Sequence, residues 1–202
     1  MIRNRGLALL QAVLVALCAG HAVAEDSSSI PINDNSFQCL DKMVKVRHFY
    51  VDNLLGNLSG TVAAAESTTG STYPAGSVVQ LIPGEVMIKQ RPGFNAATKD
   101  WEFFELDVSP EGSKIRKRGF ADVNNRFGGN CFTCHVQAKP EFDFICELDH
   151  GCAPIPVTRP MFGALQRTDP RCGQKEVSAE DKKALADLGE VIKAIMSAQE
   201  KK

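Results

Sequence analysis

The sequence predicts an α+β chain with a strand-rich middle and a helical end, and three observations predict it. "SVVQLI" (77–82) and "EVMIKQ" (85–90) are rich in aliphatic and β-branched residues, and the turn dipeptide Pro83-Gly84 separates them. "DWEFFELDV" (100–108) is a dense aromatic strand closed by "SPEGS". Near the C-terminus, Leu185, Leu188, Val191, Ile192 and Ile195 recur at helical spacing.

Taken in order, the chain begins with a targeting segment. Arg3 and Arg5 precede "GLALLQAVLVALCAG", an apolar run too short to span a bilayer comfortably. Ala22 and Ala24 then fit the small-residue cleavage rule, which places a signal peptide over 1–24 and the cut after Ala24. An uncleaved anchor is the alternative. Cys18 follows Leu17, where a lipoprotein site needs a small residue. Residues 25–36, "EDSSSIPINDNS", form a polar lead-in, ordered or frayed. In "QCLDKMVKVRHFYVDNLL" (38–55) the apolar residues have mixed spacing and read as a helix or a helix–strand junction. "SKIRKRGFADV" after the aromatic strand is a returning strand or a loop. Pro140, Pro154, Pro156, Pro160 and Pro170 keep 138–172 largely free of long helices. Ser178 is an N-cap with Asp181 three residues on, as in a capping box, and opens a C-terminal amphipathic helix over 176–202. That helix packs against the core or a partner subunit.

A chain of 202 residues, 44% hydrophobic, suits one globular domain (25–175) with this helix appended. The net charge is −1, and removal of 1–24 leaves 21 basic against 24 acidic residues, or −3. That balance gives no reason to expect nucleic-acid binding. No further segment is long and apolar enough to cross a membrane, so an integral membrane protein is not expected.

Export sets the reading of the seven cysteines. Cys18 leaves with the signal, and six remain in an oxidising compartment where disulfides persist. If Cys131 and Cys134 hold a cofactor, four cysteines allow three connectivities. The favoured set is Cys146–Cys152, a short loop through "ELDHG", with Cys39–Cys172 tying the chain ends. Cys146, His150 and Cys152 as zinc ligands are the alternative, but they lack a clear fourth ligand.

"CFTCH" (131–135) carries the chemistry. A c-type haem needs two thiols placed to add across the two vinyl groups on one porphyrin edge, and two intervening residues set that reach. A histidine directly after the second thiol then sits under the iron. Cys131 and Cys134 are therefore the expected thioether ligands of one covalent haem c, and His135 the proximal iron ligand. A thioredoxin-like dithiol is weaker, because no βαβ pattern surrounds the motif. Structural zinc would need a second spaced pair.

With the signal segment, "YPAGSVV", "DWEFFELD", "NCFTCH" and "FDFI" in this order, the chain resembles the cytochrome P460 family and its relatives, the β-sheet cytochromes c′. The pattern is a Gly turn before a strand, a W-x-F-F strand, the C-x-x-C-H site and an acidic-aromatic run. Here these are Gly76 to Val79, Trp101-Phe103-Phe104, Cys131-Cys134-His135 and Asp143-Phe144. The resemblance covers about 73–145, extends plausibly to 40–55, and leaves 146–202 uncovered. It implies a compact antiparallel sheet with flanking helices, often as a homodimer. In the cytochromes P460 proper, a strand lysine is also cross-linked to the haem edge, which goes with hydroxylamine oxidation. Counting from Gly76, the matching position falls near Leu81. Lys89 comes later and reaches that register only through an insertion at Pro83-Gly84; it also reads as a solvated strand lysine. Without the cross-link, the relatives bind small gases such as nitric oxide or carry an electron.

The expected function is thus a periplasmic mono-haem cytochrome that binds or oxidises hydroxylamine or nitric oxide at an open distal site, with a redox partner protein. A polar distal group would shuttle protons, and the candidates are Glu85, Lys89, Glu102 and Glu105. Exposed strand positions are the commoner fate of such residues. The alternative is a gas-binding or electron-transfer protein without a cross-link, its sixth site filled by a methionine (Met43, Met87, Met161 or Met196) or by His48. A third reading is a disulfide-stapled module without haem. His150 is expected to be exposed in its disulfide loop. "NLS" at Asn57 matches a glycosylation sequon, discounted because the signal and haem motif look bacterial.

Overall fold

Alternating side chains along the middle of the chain need two buried faces, and the fold supplies both with a single sheet. The structure, a computed structural model, describes residues 29–147, 149–173 and 175–199. The expected signal peptide, with Cys18, Ala22 and Ala24, lies outside the described residues.

Among the described residues, six strands form one antiparallel sheet in chain order: β1 (Val44–Val46), β2 (Phe49–Asn53), β3 (Ser77–Ile82), β4 (Glu85–Lys89), β5 (Trp101–Ser109) and β6 (Gly112–Gly119). Four α-helices accompany them among those residues: α1 (Leu58–Glu66), α2 (Cys131–His135), α3 (Arg159–Arg167) and α4 (Ala179–Gln199). The predicted α+β class is the observed one. Pro83-Gly84 forms the tight turn between β3 and β4, with Ile82 opposite Glu85. Pro110-Glu111 does the same between β5 and β6, where Gly112 has φ +129°, a value that side-chain-bearing residues rarely adopt. "SKIRKRG" is therefore a returning strand.

One face of the sheet buries Phe49, Val51, Val79, Met87, Trp101 and Phe103. Ala64 and Ala65 of α1, with Tyr73, Val123, Phe144 and Ile145, complete that core, and Cys131 and Phe132 pack against it. The other face buries Val78, Val86, Ile88, Phe104 and Leu106 under Ile30, Ile32 and Phe37. The lead-in is thus not a frayed tail from Ser29 onward. Its alternate isoleucines cap the second core, and Ile30 N donates to the Gln90 side chain at 2.6 Å.

One local expectation is corrected, and two short helices are added to the reading. Residues 38–55 hold only a 3₁₀ turn (Leu40–Lys42) and then a β-hairpin. Arg47, at φ +49°, and His48 make its two-residue turn, with Val46 opposite Phe49. The mixed spacing arises because the alternation reverses across that turn. Asn57 caps α1, its side chain accepting from Gly60 N at 3.1 Å, and the Ala run behind it is helical. Pro160 opens α3 at its first turn, where a missing N–H costs nothing.

Ser178 caps α4 as expected, accepting from Asp181 N at 3.0 Å, while the Asp181 carboxylate pairs with Arg167 of α3. Ala184 and Leu188 are buried, and α4 packs on α3. Both favoured disulfides are present: Cys39–Cys172 spans 133 residues and Cys146–Cys152 spans 6. The second excludes a zinc site at Cys146 and Cys152. Such bonds fit an oxidising compartment. Among the described residues, no helix is long and apolar enough to cross a membrane.

Candidate functional site

The loop before α2 is tied down by its asparagines. The Asn125 side chain accepts from Phe127 N at 3.1 Å and Gly129 N at 2.9 Å, and Gly128 turns at φ +79°. Asn130 caps α2, accepting from Thr133 N at 2.8 Å, and its amide donates to Ala121 O at 2.8 Å. Cys131 N donates to Val123 O at 3.0 Å, which anchors the helix to the first core. A single helical turn then places Cys131, Cys134 (i+3) and His135 (i+4) on one side.

Among the described residues, Cys131 and Cys134 are the free cysteines; the other four are in disulfides. Cys131 is half-buried and Cys134 exposed, beside the 45% exposed Val136. Burial, then the charges of Glu85 and Glu105, push the Cys131 thiol up to about 12. A redox dithiol needs the opposite shift, toward thiolate.

His135 Nδ1 lies 2.7 Å from Phe144 O. A carbonyl only accepts, so Nδ1 carries the proton and the Nε2 lone pair is free to bind a metal. Burial lowers the His135 pKa, which favours the neutral ring a ligand must be. The ring sits against Phe103, with centroids 5.6 Å apart, and Phe132 meets Phe144 edge-on at 5.9 Å.

Three cross-strand pairs line this face in register: Glu85 with Glu105, Met87 with Phe103, and Lys89 with Trp101. Contrary to the exposed-strand expectation, Lys89, Glu102 and Glu105 are only 6%, 3% and 1% exposed, and Glu85 is partly buried. The structure brings Glu85, Glu105 and Lys89 to the side of Cys131 and His135. Glu102 goes to the opposite face, where Arg118 binds it at 2.7 and 2.9 Å and Gln90 at 2.8 Å.

Glu105 Oε1 accepts from Arg126 at 2.7 Å and lies 3.2 Å from Arg116, while its buried Oε2 has no partner. Glu85 accepts from Asn125 at 3.0 Å, and burial and the Glu105 charge push its pKa up to about 7. Lys89 Nζ lies 2.8 Å from each Asp143 carboxylate oxygen and 5.0 Å from the Trp101 ring centroid. Asp143 stood in the sequence only as part of an acidic-aromatic run. No local signal marks it, because its partner lysine is 54 residues away. A pocket of about 330 Å³ opens beside Lys89 and Asp143, and neither Cys131, Cys134 nor His135 lines it.

The remaining candidates lie elsewhere or are engaged. Met87 is in the first core, Met43 packs against the second, and Met196 is exposed. Met161 is buried in α3, its sulfur accepting from Thr158 N at 3.4 Å. His48 Nδ1 lies 3.3 Å from Glu147 without hydrogen-bonding geometry. His150 is not exposed in its loop; it stacks on Phe142 at 3.6 Å and its Nδ1 bonds Ile145 O at 2.8 Å.

The donor set fits a covalently attached haem: two free thiols at i and i+3, and a tautomer-locked imidazole at i+4. No protein-family model, curated protein or solved structure matches the chain.

Proposed function

We propose that this protein is an exported, periplasmic mono-haem c-type cytochrome of the P460-like class that binds a small nitrogen compound such as nitric oxide or hydroxylamine. The observation that carries the reading is the pair of free thiols, Cys131 and Cys134, beside a histidine whose Nδ1 is committed to Phe144 O. Every other described cysteine is bonded. Cys131 and Cys134 would hold the haem covalently and His135 would bind its iron. The haem, when bound, supplies a reversible one-electron couple and a metal site for the nitrogen ligand.

The chain's own residues supply the rest. The Phe144 carbonyl holds the His135 proton on Nδ1. Phe103, Phe132, Phe144 and Trp101 exclude water from this side of the sheet. Glu85, with its pKa up to about 7, can gain or lose a proton at neutral pH beside the unpartnered Glu105 oxygen.

Between the cross-linked and plain forms, one contact favours the plain one. A lysine that attacks a haem edge must be free to reach it. Lys89 is held by both oxygens of a buried carboxylate. We therefore favour ligand binding and electron exchange with a redox partner, without a haem–lysine bond.

Visible spectroscopy and intact mass of protein exported with haem-loading machinery test this. One covalent haem, an ordinary c-type ferrous Soret band and a spectral change with nitric oxide are expected. Absence of haem would leave only the disulfide-stapled module. A ferrous band far to the red would establish the cross-link.

A further inference from the structure

Asp143 and Phe144 are consecutive non-glycine residues in the left-handed region, at φ +50° and +68°. That conformation is unfavourable for a side-chain-bearing residue, and most of all for a bulky aromatic one. Such strain persists only where the surroundings over-determine it. Here they do. Lys89 Nζ and Tyr73 N both donate to the Asp143 carboxylate, the latter at 2.9 Å. Trp101 Nε1 donates to the Asp143 carbonyl at 2.8 Å. The three donors come from β4, β5 and the segment before β3, so the turn is bolted to the sheet from three directions. Its product is one aimed group: the next carbonyl, Phe144 O, 2.7 Å from His135 Nδ1.

We propose that Asp143 is a positioning residue for His135. Held by Lys89, Tyr73 N and Trp101, it locks Phe144 in the left-handed conformation and so points the Phe144 carbonyl at the imidazole. The inference rests on the haem reading of His135. A ligating histidine that donates its other N–H to a carbonyl has a fixed orientation and a more basic donor nitrogen. Lys89 in this chain thus acts through Asp143, at one remove from the cofactor. Without the carboxylate the turn relaxes, the carbonyl swings away, and the imidazole becomes a weaker, less oriented ligand.

The test uses haem-loaded protein and two readouts besides activity: the ferrous iron–histidine stretching band by resonance Raman, and the reduction potential. Asp143→Ala and Lys89→Met are expected to shift the band to lower frequency and the potential upward, with covalent haem retained. Lys89→Arg, which keeps a donor for Asp143, is expected to restore both toward wild type. Glu102→Gln, on the opposite face, serves as the control: it lowers the melting temperature and moves neither readout. If Asp143→Ala fails to fold, Lys89→Met and Asp143→Asn decide by the same criterion. Band and potential unchanged in these variants would overturn the proposal while leaving the haem reading intact. Wild-type protein without covalent haem would remove both together.

Discussion

Glu85 and Glu105 stand directly opposite one another on β4 and β5, on the sheet face where Cys131 packs. Burial first, and then the charge of Glu105, raise the Glu85 pKa from 4.5 to about 7, against the opposing pull of the Asn125 hydrogen bond. Arg126 and Arg116 pair with Glu105.

The sign of the resulting pH dependence follows from that direction. Between about pH 4.5 and 7 the folded state holds a proton on Glu85 that the unfolded chain has released. Stability therefore falls as pH rises through this window, by up to about 3 kcal/mol, and levels off above it. Glu85→Gln keeps the Asn125 hydrogen bond and removes the penalty. It should match wild type near pH 4 and exceed it at pH 8 in denaturant melts. An equal difference at both pH values would contradict the assignment.

The Lys89–Asp143 pair is almost fully enclosed, with side chains 7% and 4% exposed. Lys89→Met leaves a buried carboxylate uncompensated and should cost about 3–5 kcal/mol. Lys89→Met with Asp143→Leu should recover part of that loss. Guanidinium unfolding of the two variants and wild type measures it as a double-mutant comparison.

Cys131→Ala with Cys134→Ala should abolish covalent haem, read as loss of the haem mass increment. The disulfides Cys39–Cys172 and Cys146–Cys152 should survive, read by alkylation without reduction. Haem retained covalently in that variant would place the attachment elsewhere.

The two disulfides should differ in worth because they close loops of very different length. By loop entropy, removing Cys39–Cys172 should cost about 5 kcal/mol and removing Cys146–Cys152 about 2 kcal/mol. Thermal or denaturant unfolding of the paired Cys→Ala variants checks the order.

Much of the fold was legible because its signals are local. A Pro-Gly turn between β-rich runs, an aromatic strand and a capped helix each depend on residues a few positions apart. In 38–55 the apolar spacing is mixed because a hairpin turn at Arg47-His48 reverses the alternation, and in the lead-in the order of Ile30 and Ile32 comes from burial against a sheet distant in sequence. The signal for α1 is also local: the Asn57 cap and the Ala run behind it.

The sequence by itself determined the donor set, since two thiols and an imidazole on one helical turn are a matter of spacing. Only the tertiary structure decided which acidic residues share that site. Strand alternation puts Glu105 on the face of His135 and Glu102 on the other, and which face is which depends on what the sheet packs against. It also decided the role of Asp143, whose partners Lys89 and Tyr73 lie 54 and 70 residues away and meet it only when the sheet and the loop after α2 close on the same core.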